Sequence, residues 1–135
     1  MADPGSGEMR IGELAAAADV TPRTVRHYEQ LGLLRPHERA SSGYRYYTEE
    51  ELTRLRKINQ LKDVGLSLDE ITSVLHMYFD DPTGAQGKRK TLEILYGHLN
   101  ETRRRREGLE RFERELQDSI ARIEARLAEI EAEAD

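Results

Sequence analysis

Hydrophobic residues recur at helical spacing through most of the chain, and capping residues and glycines mark the breaks between runs. Ile11, Leu14, Ala15 and Ala18 make one stripe of a first helix, which Asp19-Val20-Thr21-Pro22 interrupts. Thr21 suits the N-cap of a second helix, and Pro22 suits its first position, where a missing N–H costs nothing. The spacing of Val25, Tyr28 and Leu31 predicts that helix over Pro22 to Leu31, with Gly32 placed to end it. Two short helices joined by a tight turn form a helix-turn-helix.

The next stretch, Arg35 to Tyr47, has no helical period. Pro36 disfavours helix, Ala40-Ser41-Ser42-Gly43 is turn material, and Tyr44-Arg45-Tyr46-Tyr47 has strong strand propensity. A short hairpin, or wing, is the reading. Capping boxes at Thr48 with Glu51 and at Ser67 with Glu70 open two more helices. The first runs to about Val64 with Leu52, Leu55, Ile58 and Leu61 on its stripe; the second carries Leu68, Ile71, Val74 and Leu75 as far as about Phe79. Residues 80–87 read as a linker, with Tyr78 and Phe79 expected to seal the junction.

From Lys88 to Ala134 there is no proline, and a heptad register with Leu92 at position a makes ten of thirteen a and d positions apolar. That alternation marks a coiled coil, and about 47 residues of helix extend roughly 70 Å. Such a stripe cannot be buried on a small head alone, so it calls for a second copy of itself. The expected dimerisation residues are Leu92, Leu95, Leu99, Leu109, Leu116, Ile120, Ile123 and Leu127. Arg106 and Glu113 interrupt the seam at a positions. In a parallel, in-register pair each would face its own copy, whereas antiparallel pairing avoids both like-charge contacts. The alternative is that these long side chains reach out of the seam at little cost.

Composition agrees with exposed helices rather than a large core. Of 135 residues, 35% are charged and 37% apolar, and the mean hydropathy is −0.77. No apolar run reaches the roughly 18 residues of a membrane span. The opening MADPGSGE has no apolar segment of the secretory kind, and residues 1–9 read as a disordered arm. The fold class is therefore mainly α: a winged helix-turn-helix head over 10–79 with a small β-hairpin wing, a linker over 80–87, and a coiled-coil helix over 88–134.

A net charge of −5 argues, taken whole, against nucleic acid. Its distribution changes that. Thr21 to Lys62 holds nine Lys/Arg against five acids, whereas Ser67 to Asp135 holds eleven against sixteen. A basic segment beside an acidic one permits contact with a polyanion without requiring it. With no cysteine, disulfides, thiolate zinc sites and cysteine-based sensing are excluded. The histidines at 27, 37, 76 and 98 make no metal cluster by spacing, and no metal or cofactor is expected. Nor does the chain offer a nucleophile–base pair or a phosphate-binding glycine loop, so no enzyme is expected.

The string Thr21-Pro22-Arg23-Thr24-Val25-Arg26-His27-Tyr28-Glu29-Gln30-Leu31-Gly32-Leu33-Leu34, followed by Gly43-Tyr44-Arg45-Tyr46-Tyr47 and Leu61-Lys62-Asp63-Val64-Gly65, closely resembles the MerR family of bacterial transcriptional regulators. The resemblance runs from Arg10 to about Leu75 and continues in the long helix. It implies a homodimer joined by an antiparallel coiled coil, bound to a pseudo-palindromic operator between promoter elements. It also implies distortion of that DNA for RNA polymerase, in the cytoplasm on the nucleoid.

Candidate DNA contacts are Thr21, Arg23, Thr24, Arg26, His27 and Tyr28 at the start of the second helix, where residues reach base edges. Tyr28 has two readings, since its spacing from Val25 and Leu31 suits the core while its hydroxyl suits a phosphate. In the wing, Arg45 is the expected phosphate contact and alternation sets it opposite Tyr44 and Tyr46. The resemblance instead favours Tyr44 with Arg45 near the DNA backbone and Tyr47 near the core. Arg39 and Lys62 complete the set. Arg103 to Arg106 reads as a solvated helix face, with glutamates at ion-pair spacing. Because the helix occupies the remaining chain, no separate effector module is expected. The rival class is a coiled-coil interaction module whose head binds protein and no DNA.

Overall fold

The computed structural model describes residues 7–134. Its elements are α1 (Ile11–Ala17), α2 (Pro22–Gln30), β1 (His37–Glu38), β2 (Arg45–Tyr46), α3 (Glu49–Asp63), α4 (Leu68–Val74), a 3-10 turn (Leu75–Tyr78) and α5 (Ala85–Ala134). Contacts divide the chain after Leu95 into two units.

The helix starts lie where the capping residues put them. Thr21 Oγ1 accepts the Thr24 backbone N–H at 3.1 Å and opens α2, with Pro22 in its first turn. Ser67 Oγ accepts from Glu70 N at 3.2 Å while the Ser67 N–H donates to Glu70 Oε1 at 2.9 Å, closing a reciprocal box at α4. At α3, the Glu51 carboxylate accepts from both the Thr48 N–H and its hydroxyl, at 3.1 and 3.0 Å. Gly32, with φ of +79°, supplies the left-handed turn that ends α2.

The core of the first unit is the sum of the stripes. Leu14 and Ala15 of α1, Val25 and Tyr28 of α2, Leu52, Leu55, Ile58 and Leu61 of α3, and Ile71 and Val74 of α4 are all buried, together with Leu33, Leu34, Tyr47, Leu66 and Leu75. The wing is a two-stranded antiparallel sheet pairing His37 with Tyr46 and Glu38 with Arg45. Gly43, at φ +69°, turns the chain between its strands.

Three expectations change. Of the expected arm over 1–9, residues 1–6 lie outside the described residues, but Met9 is tied to the wing. Its N–H donates to Tyr47 O at 2.7 Å and its carbonyl accepts from Tyr47 N at 2.8 Å. The linker expected over 80–87 gives way to helix at Ala85, because Asp81 and Thr83 form the turn that precedes it. Leu95, expected in the dimer seam, also packs against the core of its own head, beside Ile94, so part of it is already covered.

Before Ile94 and Leu95 reach the core, the start of α5 meets the Tyr78 ring. A Cβ on Gly87 would lie 2.5 Å from the Tyr78 ring, so the absence of a side chain there lets ring and helix backbone touch. The Tyr78 hydroxyl and Thr91 Oγ1 are 2.7 Å apart. Lys57 and Lys88 Nζ lie 4.6 and 5.6 Å from the ring centroid. Phe79 is partly exposed and receives the Arg54 guanidinium 5.0 Å from its centroid.

In the second unit α5 continues as a single helix. Leu99, Leu109, Leu116, Ile120, Ile123, Leu127 and Ile130 are 41–69% exposed, as is Phe112, and in the first unit Leu92 is 52% exposed. Arg104 and Arg105 pair with Glu101, and Arg106 with Glu110, as a solvated face would have them. No helix among the described residues is long and apolar enough to cross a membrane.

Candidate nucleic-acid interface

The apolar stripe of α2 buries Val25 and Tyr28, which turns the opposite side of the helix outward. Arg23, Arg26, His27 and Gln30 line one open concavity on that side. Arg26 also lines a second concavity with Arg10, Ile11, Tyr44, Arg45 and Tyr47. Because Arg26 belongs to both, the recognition-helix face and the wing face form one continuous surface carrying four guanidinium groups.

From Arg45 to Tyr47 the side chains alternate, whereas Tyr44, expected opposite Arg45, lines the same concavity as Arg45 and Tyr47. Arg45 and Tyr47 turn to one side, where Arg45 Nη2 donates to Glu29 Oε2 at 2.8 Å and the Tyr47 hydroxyl donates to Glu29 Oε1. Tyr46 turns to the other, stacked on His37 at 5.2 Å with Arg39 above its ring. Tyr47 is 2% exposed. Its ionisation is pushed up from the ordinary value of 10.0, first by burial and then by the Glu29 carboxylate that takes its hydrogen bond. Tyr44 is half-buried; its hydroxyl accepts from Arg10 Nε at 2.9 Å, and the same guanidinium lies over its ring.

Other expected contacts do not line these two concavities. Tyr28 is 1% exposed and its ring is core, with its hydroxyl accepting from Lys62 Nζ at 3.3 Å. Of the two readings of Tyr28, apolar spacing accounts for the place of its ring, and Lys62 engages its hydroxyl. Lys62 lines another concavity, with Asp19, Val20, Asn59 and Asp63. Arg39 is ion-paired with Glu8. The hydroxyls of Thr21 and Thr24 sit 3.0 Å apart at the cap of α2. Arg10, Glu29 and Gln30 were not singled out by sequence reasoning. Arg10 shows no periodic signal, and Glu29 meets its partners across 16 and 18 residues of chain.

Among the described residues, one group brings three metal-ligating atoms within 4.8 Å: His37, Glu50 and Glu51. His37 Nε2 lies 2.8 Å from Glu51 Oε1, and both Glu51 oxygens already accept from Thr48. The arrangement is satisfied as a clasp between β1 and the capped start of α3. Histidine spacing in the sequence gives no sign of it, since its partners come from another element.

A helix-turn-helix whose second helix and adjacent wing share one cationic surface defines a winged helix-turn-helix DNA-binding protein. The family model described as MerR HTH family regulatory protein matches residues 9–78, and that described as MerR, DNA binding, matches residues 52–119. The chain belongs to the MerR family of DNA-binding transcriptional regulators. It is 38% identical to an uncharacterized HTH-type transcriptional regulator of Pseudomonas aeruginosa, over 83% of each chain. It is 34% identical to the mercuric resistance operon regulatory protein of Bacillus cereus, over 82% of each. Among solved structures it is similar to a transcription regulator from Ralstonia metallidurans CH34 in complex with lead(II), with a TM-score of 0.64 and 34% identity over 82% of this chain and 84% of that one. These relatives are named as regulators, not as enzymes.

Proposed function

We propose that the chain works as a homodimer on a pseudo-palindromic promoter operator, one head to each half-site. The observation that carries this reading is the shared position of Arg26, which joins the α2 face and the wing face into one basic surface. On this reading residues 10–79 are the DNA-binding head and 88–134 the dimerisation helix. Arg23, Thr24, Arg26 and His27 meet the major groove, with Thr21 capping their helix. Arg45 and Tyr44, joined by Arg10, meet phosphates, while Arg39 and Lys62 lie farther out along the backbone. Phosphate contacts of this kind set position, and base contacts set sequence.

The exposed seam from Leu99 to Ile130 supports the dimer, because a row of large apolar side chains at heptad spacing is stable only when covered. Avoidance of Arg106 and Glu113 self-contacts supports the antiparallel orientation. Family membership supports, as part of the same proposal, bending and underwinding of the operator, RNA polymerase as the next partner at the promoter, and action in the cytoplasm on the nucleoid. The lead(II) of the relative's complex does not transfer through thiolates, because this chain has no cysteine.

Genome-wide footprinting of the bound sites tests the reading. Two-fold related half-sites within promoters are the expected result; scattered sites without internal symmetry would overturn the dimer on its operator.

A further inference from the structure

An acid stands within the basic surface. Glu29 lies on α2 beside the arginines of the interface, where a carboxylate facing phosphates is electrostatically unfavourable. Its side chain is nevertheless only 11% exposed, and both of its oxygens are engaged. Oε2 accepts from Arg45 Nη2 at 2.8 Å, and Oε1 accepts from the Tyr47 hydroxyl. One carboxylate thus ties the recognition helix to two residues on one side of the wing strand.

The two ends of this tie differ. Tyr47 is fixed: its ring is in the core and its backbone is paired with Met9 in both directions. Burial and Glu29 together keep its phenol protonated, so it remains a donor. Arg45 has an exposed side chain, 53% accessible, and without a partner would sample many rotamers. A guanidinium carries five N–H donors, so a bond to Glu29 leaves others free for a phosphate. The ion pair therefore need not break when DNA arrives.

We propose that Glu29 is a positioning residue for DNA binding: its carboxylate holds the Arg45 guanidinium at a fixed place relative to Arg26, so that helix and wing meet the duplex as one preorganised surface. This inference rests on the interface proposed above. Fixing the arginine beforehand removes an ordering cost from the binding step. Two other roles give opposite signs. If Glu29 were only an unfavourable charge, its removal would strengthen DNA binding; if it were only a fold clasp, its removal would weaken binding whether or not Arg45 were present.

The test uses the full chain and an operator duplex that the unaltered protein selects from a random-sequence pool. Affinity is measured over a range of salt for Glu29→Gln, Glu29→Ala, Arg45→Ala and the Glu29→Gln/Arg45→Ala double variant. Glutamine keeps an acceptor for Tyr47 and loses the charge that holds Arg45, so this variant preserves the fold if alanine does not. We expect Glu29→Gln to bind about tenfold more weakly despite the lost negative charge. The slope of log affinity against log salt should fall by about one phosphate contact. In the Arg45→Ala background the same change should alter affinity less than about twofold, as a shared pathway requires.

Equal or tighter binding by Glu29→Gln, or an equal loss in both backgrounds, overturns the inference. If Arg45→Ala binds as the unaltered chain does, or no duplex is selected, the interface reading itself has failed and this inference falls with it.

Discussion

Arg23 and Arg45 are both exposed arginines, yet their surroundings differ. No acid pairs with Arg23 among the described residues, whereas Arg45 is held by Glu29. Arg23→Ala should cost about 1–3 kcal/mol of operator affinity and relax preference at one base position. Arg45→Ala should weaken binding to all duplexes alike and reduce the salt slope by about one. Anisotropy titrations at several salt concentrations separate the two outcomes, and sedimentation should show the same assembly as the unaltered chain. Tyr47 gives a pH prediction. Its ionisation is raised in the folded state, so its contribution is complete below the ordinary value of 10.0 and is lost as pH rises beyond it. Melting followed above that pH should show a steeper loss of stability for the unaltered chain than for Tyr47→Phe. At this scale the sequence displays Arg23, Arg26 and His27 plainly, since they share the face opposite an apolar stripe. It hides Glu29, whose meaning depends on contacts far along the chain, and its spacing places Tyr28 better than its chemistry does.

α2, α3 and α4 each have a local start signal that the sequence displays, whereas α1 begins after Arg10, which offers none. The Ser67 box has both of its reciprocal bonds, and Ser67→Ala should cost about 1 kcal/mol, measured by chemical denaturation. The junction is different in kind. Tyr78 meets the backbone of α5 at Gly87, lies near two lysines, and shares a hydrogen bond with Thr91. Burial, and then the charge of Lys88, lower the Lys57 ionisation, in keeping with that crowding. Gly87→Ala places a methyl group inside the ring's contact distance and should cost about 1–3 kcal/mol, visible as a lower melting temperature. Sequence alone marks Gly87 as linker, because a glycine in a polar stretch looks the same whether it turns the chain or admits a ring. The Met9–Tyr47 pairing was hidden for a similar reason: one isolated bridge leaves no periodicity.

At the scale of the molecule, most of the large apolar side chains left exposed among the described residues lie along α5. The heptad pattern picks out this stripe, and at its head end Leu95 also touches the core. The pattern omits Tyr96 and Phe112, which are 62% and 55% exposed and lie outside the a and d positions. Placing charges on the seam with Leu116→Glu and Ile123→Glu should shift sedimentation from a dimer to a chain of about 15.5 kDa, while the head keeps its helical signal. A dimer that persisted would remove the seam from the interface. The bridge between Met9 and Tyr47 has a practical bearing on all such work. A proline at Met9 would lack the N–H that bonds Tyr47 O, and so would loosen the residue next to the wing strand without altering any arginine.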